Sequence, residues 1–315
     1  MSSPAVEALD LKKTYANGVE AVKGISFRIE PGEAFGLLGP NGAGKSTTIG
    51  MLSTTVVPTA GRALLGGRDV AKDPMGARSI SSVVFQDAVV DRPLTGRQNL
   101  ALHLRLWGKD DAAGRARLNH LANVVGLSDY LDRPVATYSG GQRRRMEIVR
   151  ALVSEPQVVF LDEPTVGLDT RIRHDLFDVL ATLRDESGVT ILLTTHYLDE
   201  AERLTDRIAI VDAGRIVATG TPADLLAALG DQVLEVRVDD AAGTTRSLAA
   251  AGIATDDLSV VGTTITASLR GARSEDLLGR LRDDGVTVRS ATTRQPTLDD
   301  VYLRLTGDRI TAGDE

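Results

Sequence analysis

The stretch Gly39-Pro40-Asn41-Gly42-Ala43-Gly44-Lys45-Ser46 constrains this chain more than any other. It fits the pattern GxxxxGK[ST] and lies between an apolar run, Ala34–Leu38, and a helical stretch, Lys45–Leu52. Such a loop can hold phosphate where a strand feeds it and a helix leaves it. Its glycines let the backbone curl until successive N–H groups point inward at phosphate oxygens. Lys45 adds a point charge for the outer phosphates, and the Ser46 hydroxyl can ligate Mg²⁺. The helix that follows turns its positive end toward the anion. A fold that houses this loop needs a buried strand and a helix meeting at one point, which directs the reading toward an α/β sheet.

The pattern of apolar runs agrees. Residues 34–38, 83–85, 158–161, 190–194 and 208–211 read as buried strands, and polar helical stretches alternate with them. Continuous apolar strands of this kind predict a mostly parallel sheet covered on both faces. Between Gln86 and Ala136 no strong strand is predicted. Residues 97–107 and 112–125 read as helices, and Thr95 with Gln98 fits a capping box. That region is expected to be a helical insertion, spanning about residues 87–155.

In open parallel sheets, ligands bind beyond the carboxyl ends of the strands. Four predicted strands lead directly into chemically useful residues. The run 34–38 enters the glycine loop, 83–85 enters Gln86, 158–161 enters Asp162-Glu163, and 190–194 enters Thr195-His196. Parallel strands would gather all four at one edge. There Asp162 could complete a Mg²⁺ shell, and Glu163 could orient or deprotonate a water. His196 has no second His or Cys nearby, so contact with phosphate is a better expectation than metal ligation. A fifth feature, Ser139-Gly140-Gly141-Gln142, opens a helical stretch over 143–153 and offers a second set of exposed N–H groups to an anion.

Composition sets the outer limits. At roughly 100–200 residues per domain, 315 residues predict two domains. The boundary falls near Gly230, giving 1–230 and 231–315. After it the predicted order is β-α-β-β-α-β, which fits a small α+β ferredoxin-like unit, closed by a helix over 298–305. Lys and Arg total 36 against 43 Asp and Glu, a net charge of −7. That balance disfavours nucleic acid as a partner. With no cysteine there are no disulfides, thiolate metal sites or Cys nucleophiles. The longest apolar run, 225–229, falls far short of the about 20 residues that a membrane helix needs. Residues 1–4 lack a signal-peptide plan. The expectation is a soluble chain in a reducing compartment.

Taken together, residues 5 to about 220 resemble the nucleotide-binding subunit of an ABC transporter. The glycine loop is similar to Walker A, Gln86 to the Q-loop, and Tyr138-Ser139-Gly140-Gly141-Gln142 to the signature. Val158–Asp162 with Glu163 is similar to Walker B, Gly167-Leu168-Asp169 to the D-loop, and His196 to the switch histidine. Tyr138 stands where the signature usually has Leu, outside the anion-contacting Ser-Gly-Gly. The resemblance implies a P-loop fold with a mostly parallel core sheet, an antiparallel β subdomain and a helical subdomain. It further implies ATP as substrate with Mg²⁺ held by Ser46, Gln86 and Asp162. Two copies, or this chain and a paralogue, would pack head to tail. Each ATP would be held by residues 39–47 together with Gln86, Asp162, Glu163 and His196. The signature residues Ser139, Gly140, Gly141 and Gln142 of the other copy would close over it. Tyr15 would stack on adenine, and Asp169 would sit at the dimer seam.

Three further stretches narrow the resemblance to daunorubicin/doxorubicin-resistance-type exporters, over nearly the whole chain. They are Leu94-Thr95-Gly96-Arg97-Gln98-Asn99-Leu100, Ala136-Thr137-Tyr138 and Pro296-Thr297-Leu298-Asp299-Asp300-Val301-Tyr302-Leu303. That likeness implies an ATPase motor on the cytoplasmic face of the membrane, coupled to a permease of about six spans per chain. Export of a lipid or ion, or an ATP-driven switch that moves no solute, stays open at this level.

Overall fold

The computed structural model describes residues 3–87 and 89–307; the ends of the expected spans 1–230 and 231–315 therefore lie partly outside the described residues. The chain begins with β1 (Val6–Thr14), β2 (Glu20–Ile29), β3 (Ala34–Leu38), α1 (Lys45–Leu52), β4 (Ala60–Leu65), β5 (Arg68–Asp69), α2 (Pro74–Ser79) and β6 (Ser81–Val84). It continues through α3 (Gly96–Leu106), α4 (Ala112–Val124), α5 (Gly140–Val153), β7 (Val158–Asp162), α6 (Thr170–Ser187) and β8 (Thr190–Thr195). Next come α7 (Leu198–Leu204), β9 (Arg207–Asp212), β10 (Arg215–Gly220) and α8 (Pro222–Ala227). The C-terminal part is β11 (Val233–Val238), α9 (Ala241–Ala250), β12 (Leu258–Val261), β13 (Thr264–Ser268), α10 (Ser274–Asp283), β14 (Val288–Arg294) and α11 (Leu298–Thr306).

The central sheet has the order β10-β9-β3-β8-β7-β6 and is parallel except for β10 at its edge. Every residue of β3, β7 and β8 is buried, as strands covered on both faces require. Side chains alternate between the two covers. Val158 and Phe160 join Phe35 and Leu37 under the antiparallel sheet and α1. Val159 and Leu161 join Met146, Val149 and Val153 of α5 under the helical layer. Register then sets the site. Leu38 pairs with Thr195, Thr194 with Asp162, and Leu161 with Val84, so four carboxyl ends lie level at one edge.

The second sheet, β2-β1-β4-β5, is antiparallel. The helical layer is α3 to α5. Thr95 and Gln98 form the expected capping box at α3. Tyr138 is buried, and its hydroxyl donates to the Tyr130 carbonyl at 2.6 Å. Gly96 faces that hydroxyl so closely that a Cβ would stand 2.3 Å from it.

The third sheet has the order β12-β13-β11-β14 and is antiparallel throughout, with α9 and α10 covering its apolar face. β14 begins two residues later than the sequence predicts and runs on to Arg294. α11 touches this unit through Arg304, which donates to the Asp256 carbonyl and pairs with Asp257, and through Asp300, which pairs with Arg294 of β14. Its apolar face turns to the glycine-loop body, where Leu298, Val301 and Tyr302 share a core with Leu38, Ile208, Ile210, Leu225 and Leu229. The Tyr302 hydroxyl donates to Asp212 Oδ1 at 2.9 Å. Arg270 and Arg304 both donate to the Ala228 carbonyl at the end of α8, where helix carbonyls lack intrahelical partners.

Candidate functional site

The glycine loop leaves β3 and curls beneath the start of α1. Gly39 admits no side chain, because a Cβ would lie 2.1 Å from the Val211 carbonyl oxygen. Gly44 has φ 102° and caps α1, a conformation that favours glycine. Lys45 is buried, and its Nζ donates to the carbonyls of Gly39 at 2.8 Å and Pro40 at 3.0 Å. It also pairs with Glu163 Oε1 at 3.2 Å. Burial lowers the Lys45 pKa, against the opposing pull of Glu163 and Asp162.

Ser46 Oγ donates to Asp162 Oδ1 at 2.9 Å. Thr194, which the sequence reading passed over, donates to the same oxygen at 2.6 Å. Its Oγ1 also accepts from the Glu163 N–H at 3.0 Å. Glu163 has φ 45°, a left-handed conformation that a non-glycine residue holds only when its neighbours impose it. Burial alone would raise the Glu163 pKa; the adjacent His196 ring and Lys45 outweigh it and hold the carboxyl below its usual range. His196 Nδ1 stands 3.5 Å from Glu163 Oε2, too far for a strong hydrogen bond. That nitrogen is buried and has no hydrogen-bond partner.

These groups surround one cleft of about 920 Å³, lined by Asn41, Gly42, Gly44, Lys45, Ser46, Thr47, Gln86, Glu163 and His196. Ala43 instead points into the core. The Tyr15 hydroxyl lies 3.2 Å from Thr47 Oγ1, and its ring is partly exposed.

Tyr15, Gly39, Pro40 and Asp162 do not line the cleft but bond to residues that do. The signature residues and Asp169 also lie outside this lining. Ser139 and Gly140 are exposed and do not line the cleft. Ser139 caps α5, and with Gln142 it forms a capping box, so the helix begins at Gly140 and not at residue 143 as predicted. Gly141 is buried against Ile172, where a Cβ would meet Cγ2 at 2.6 Å. Asp169 caps α6 by accepting from the Ile172 N–H at 3.0 Å.

The sequence reading also missed Glu200. This buried carboxylate accepts from the hydroxyls of Thr165 and Thr195, tying the loop after Glu163 to the strand end before His196. The Thr-Thr pair ahead of His196 was its only visible signal.

Strand, glycine loop, buried lysine and strand-end carboxylates define a phosphate-loop nucleotide-binding protein. A family model described as ABC transporter matches residues 22–166. Over 310 residues the chain is 44% identical to the daunorubicin/doxorubicin resistance ATP-binding protein DrrA of Streptomyces peucetius, covering 96% of this chain and 92% of that protein. It is 39% identical to the doxorubicin resistance ATP-binding protein DrrA of Mycobacterium tuberculosis, covering 96% and 94%. A solved structure of the ATP binding subunit of an ABC transporter matches 72% of this chain and 93% of its own, with TM-score 0.65 and 31% identity. The chain belongs to the ATP-binding proteins of ABC transporters, an ATPase family.

Proposed function

We propose that this chain is the ATP-hydrolysing motor of a drug or antibiotic exporter whose pathway lies in a separate membrane permease. No helix among the described residues is long and apolar enough to cross a membrane. The motor would work at the cytoplasmic face, paired with a second copy or a paralogue, against a permease of about six spans per chain. The observation that carries the reading is the separation of two anion-binding helix starts. One lines the cleft at Lys45, while the other, at Ser139, is exposed and takes no part in that lining. Such a chain supports a composite site, in which Ser139, Gly140 and Gly141 of one copy complete the phosphate cage of the other.

The residues fit Mg²⁺ as well as ATP. Ser46 and Asp162 already converge as hard oxygen donors, and Gln86 lines the same cleft. The ion would neutralise charge on the phosphates there. Lys45 would exchange loop carbonyls and Glu163 for phosphate oxygens. Glu163, released from Lys45, would orient the attacking water and draw off its proton. His196, which lines the same cleft, would hold the γ-phosphate, so that developing charge meets a polar ring already in position. Gln86 would carry the change toward α3 and the permease. Tyr15 would stack on adenine, and Asp169 would lie at the seam. We read residues 231 onward as a ferredoxin-like accessory domain, from the sheet order of the third sheet.

The test is ATP-dependent efflux of an anthracycline from cells carrying this chain with its permease. Efflux should appear with the wild type and vanish with Lys45→Ala. Efflux undiminished by that substitution would refute the motor assignment.

A further inference from the structure

We propose that Arg144 is a positioning residue that ties the signature helix to the backbone around Glu163, so that the two move as one body. The proposal rests on the composite-site reading above and adds a connection between its two halves.

Arg144 lies in the second turn of α5 and is buried. Its guanidinium gathers carbonyls from one continuous turn. Nε donates to Pro164 at 2.6 Å, and NH2 donates to Asp162 at 3.3 Å and Glu163 at 3.2 Å. NH1 donates to Phe85, the residue before Gln86, and to Glu147 Oε2 at 3.1 Å. The other Glu147 oxygen accepts from the Val89 N–H at 2.8 Å. One buried ion pair thus meets the Mg²⁺-side carboxylate, the Glu163 turn and both flanks of Gln86 through their main chain.

The turn it grips is the strained one. Glu163 keeps φ 45° while Thr194 holds its N–H from β8 and Arg144 holds its carbonyl from α5. Only a planar fork with five donors spans these acceptors; a lysine ammonium offers three from a single point. Ser139 begins the same helix five residues earlier, about 7.5 Å along its axis. A signature that closes on ATP in one site therefore pulls on the carboxylate of the other site.

The experiment uses the full-length chain with Arg144→Lys. ATP affinity by calorimetry should stay within about twofold, because Lys45 and its loop are untouched. The kcat should fall about 10–100-fold, the scale of a catalytic group displaced by about 1 Å. The Hill coefficient for ATP hydrolysis should exceed 1 in the wild type and drop toward 1 in the variant. The charge-balanced pair Arg144→Met with Glu147→Met avoids a stranded buried charge. It should show the same loss, and it decides the matter if the lysine variant does not fold. Unchanged kcat, a parallel loss of ATP affinity, or a wild-type Hill coefficient of 1 would each overturn the proposal. ATP-driven dimerisation of Glu163→Gln, followed by light scattering, separates the two readings. Failure there removes the composite site itself, whereas dimerisation with unchanged Arg144→Lys kinetics removes only the Arg144 link.

Discussion

Glu163 is at once the counter-ion of Lys45 and the carboxylate beside the proposed water position. Glu163→Gln removes both roles. Turnover should fall about 10²–10⁴-fold as general-base assistance is lost. ATP affinity should hold or rise, since phosphate no longer competes with a carboxylate for Lys45; kinetics with calorimetry on the same preparation check both. Thr194 supports two neighbours with a single hydroxyl. Thr194→Val keeps the shape but leaves Asp162 Oδ1 one donor short and deprives the Glu163 N–H of one of its two acceptors. It should cost about 1–3 kcal/mol in denaturant unfolding and lower kcat with it. Lys45, Asp162, Glu163 and His196 were legible in the sequence because each ends or follows a buried strand at a loop of known chemistry. Thr194, Arg144 and Glu200 were not. Each acts on neighbours brought close only by strand register and helix packing, and nothing local in the sequence marks such contacts.

Helix starts show the same division at the scale of elements. Thr95-x-x-Gln98 and Ser139-x-x-Gln142 are the same capping box, yet only the first was read as one. Two glycines after Ser139 lower local helix propensity and hide the start. The antiparallel strands were also hard to see. β1 is half-exposed, and Asp10 at φ 47° breaks its period as the pairing register shifts between Ala8 and Leu11. α3 carries a further consequence. His103 is pushed down to about 4 by burial and by Arg150 of α5, and its Nε2 lacks a hydrogen-bond partner. The unfolded chain regains an ordinary histidine near 6.5. Below that pH it takes up a proton that the folded state refuses until about pH 4. Stability is therefore complete above pH 6.5 and declines as pH falls toward 4, by at most about 1.4 kcal/mol per pH unit. Denaturant unfolding at pH 7 and pH 5 should show the wild type losing about 1–2 kcal/mol more than His103→Leu, after discounting for partial exposure.

At the scale of the whole molecule, α11 decides how separable the two parts are. Sequence order alone assigns it to the C-terminal unit, but its apolar face belongs to the core that holds Leu38 of β3, the strand that feeds the glycine loop, and Ile208 of the neighbouring β9. Leu298, Val301 and Tyr302 are nearly fully buried there, each worth about 1.5–3 kcal/mol by area removed from water. A chain ending at Gly230 would lose that cover and expose Leu225 and Leu229 beside the end of β3. Its melting temperature should drop and its tendency to aggregate should rise, even if residues 231 onward play no part in hydrolysis. Tyr302→Phe is the milder probe. It removes the bond to Asp212 while keeping the ring, so it should cost about 1 kcal/mol and leave kcat nearly unchanged. Comparing the two by thermal unfolding and ATPase assay separates cover from control. If Tyr302→Phe matches wild-type activity while the truncated chain fails in proportion to its lost stability, α11 is a clamp on the core. If the truncated chain melts like the full-length protein, the shared core does not hold the two parts together.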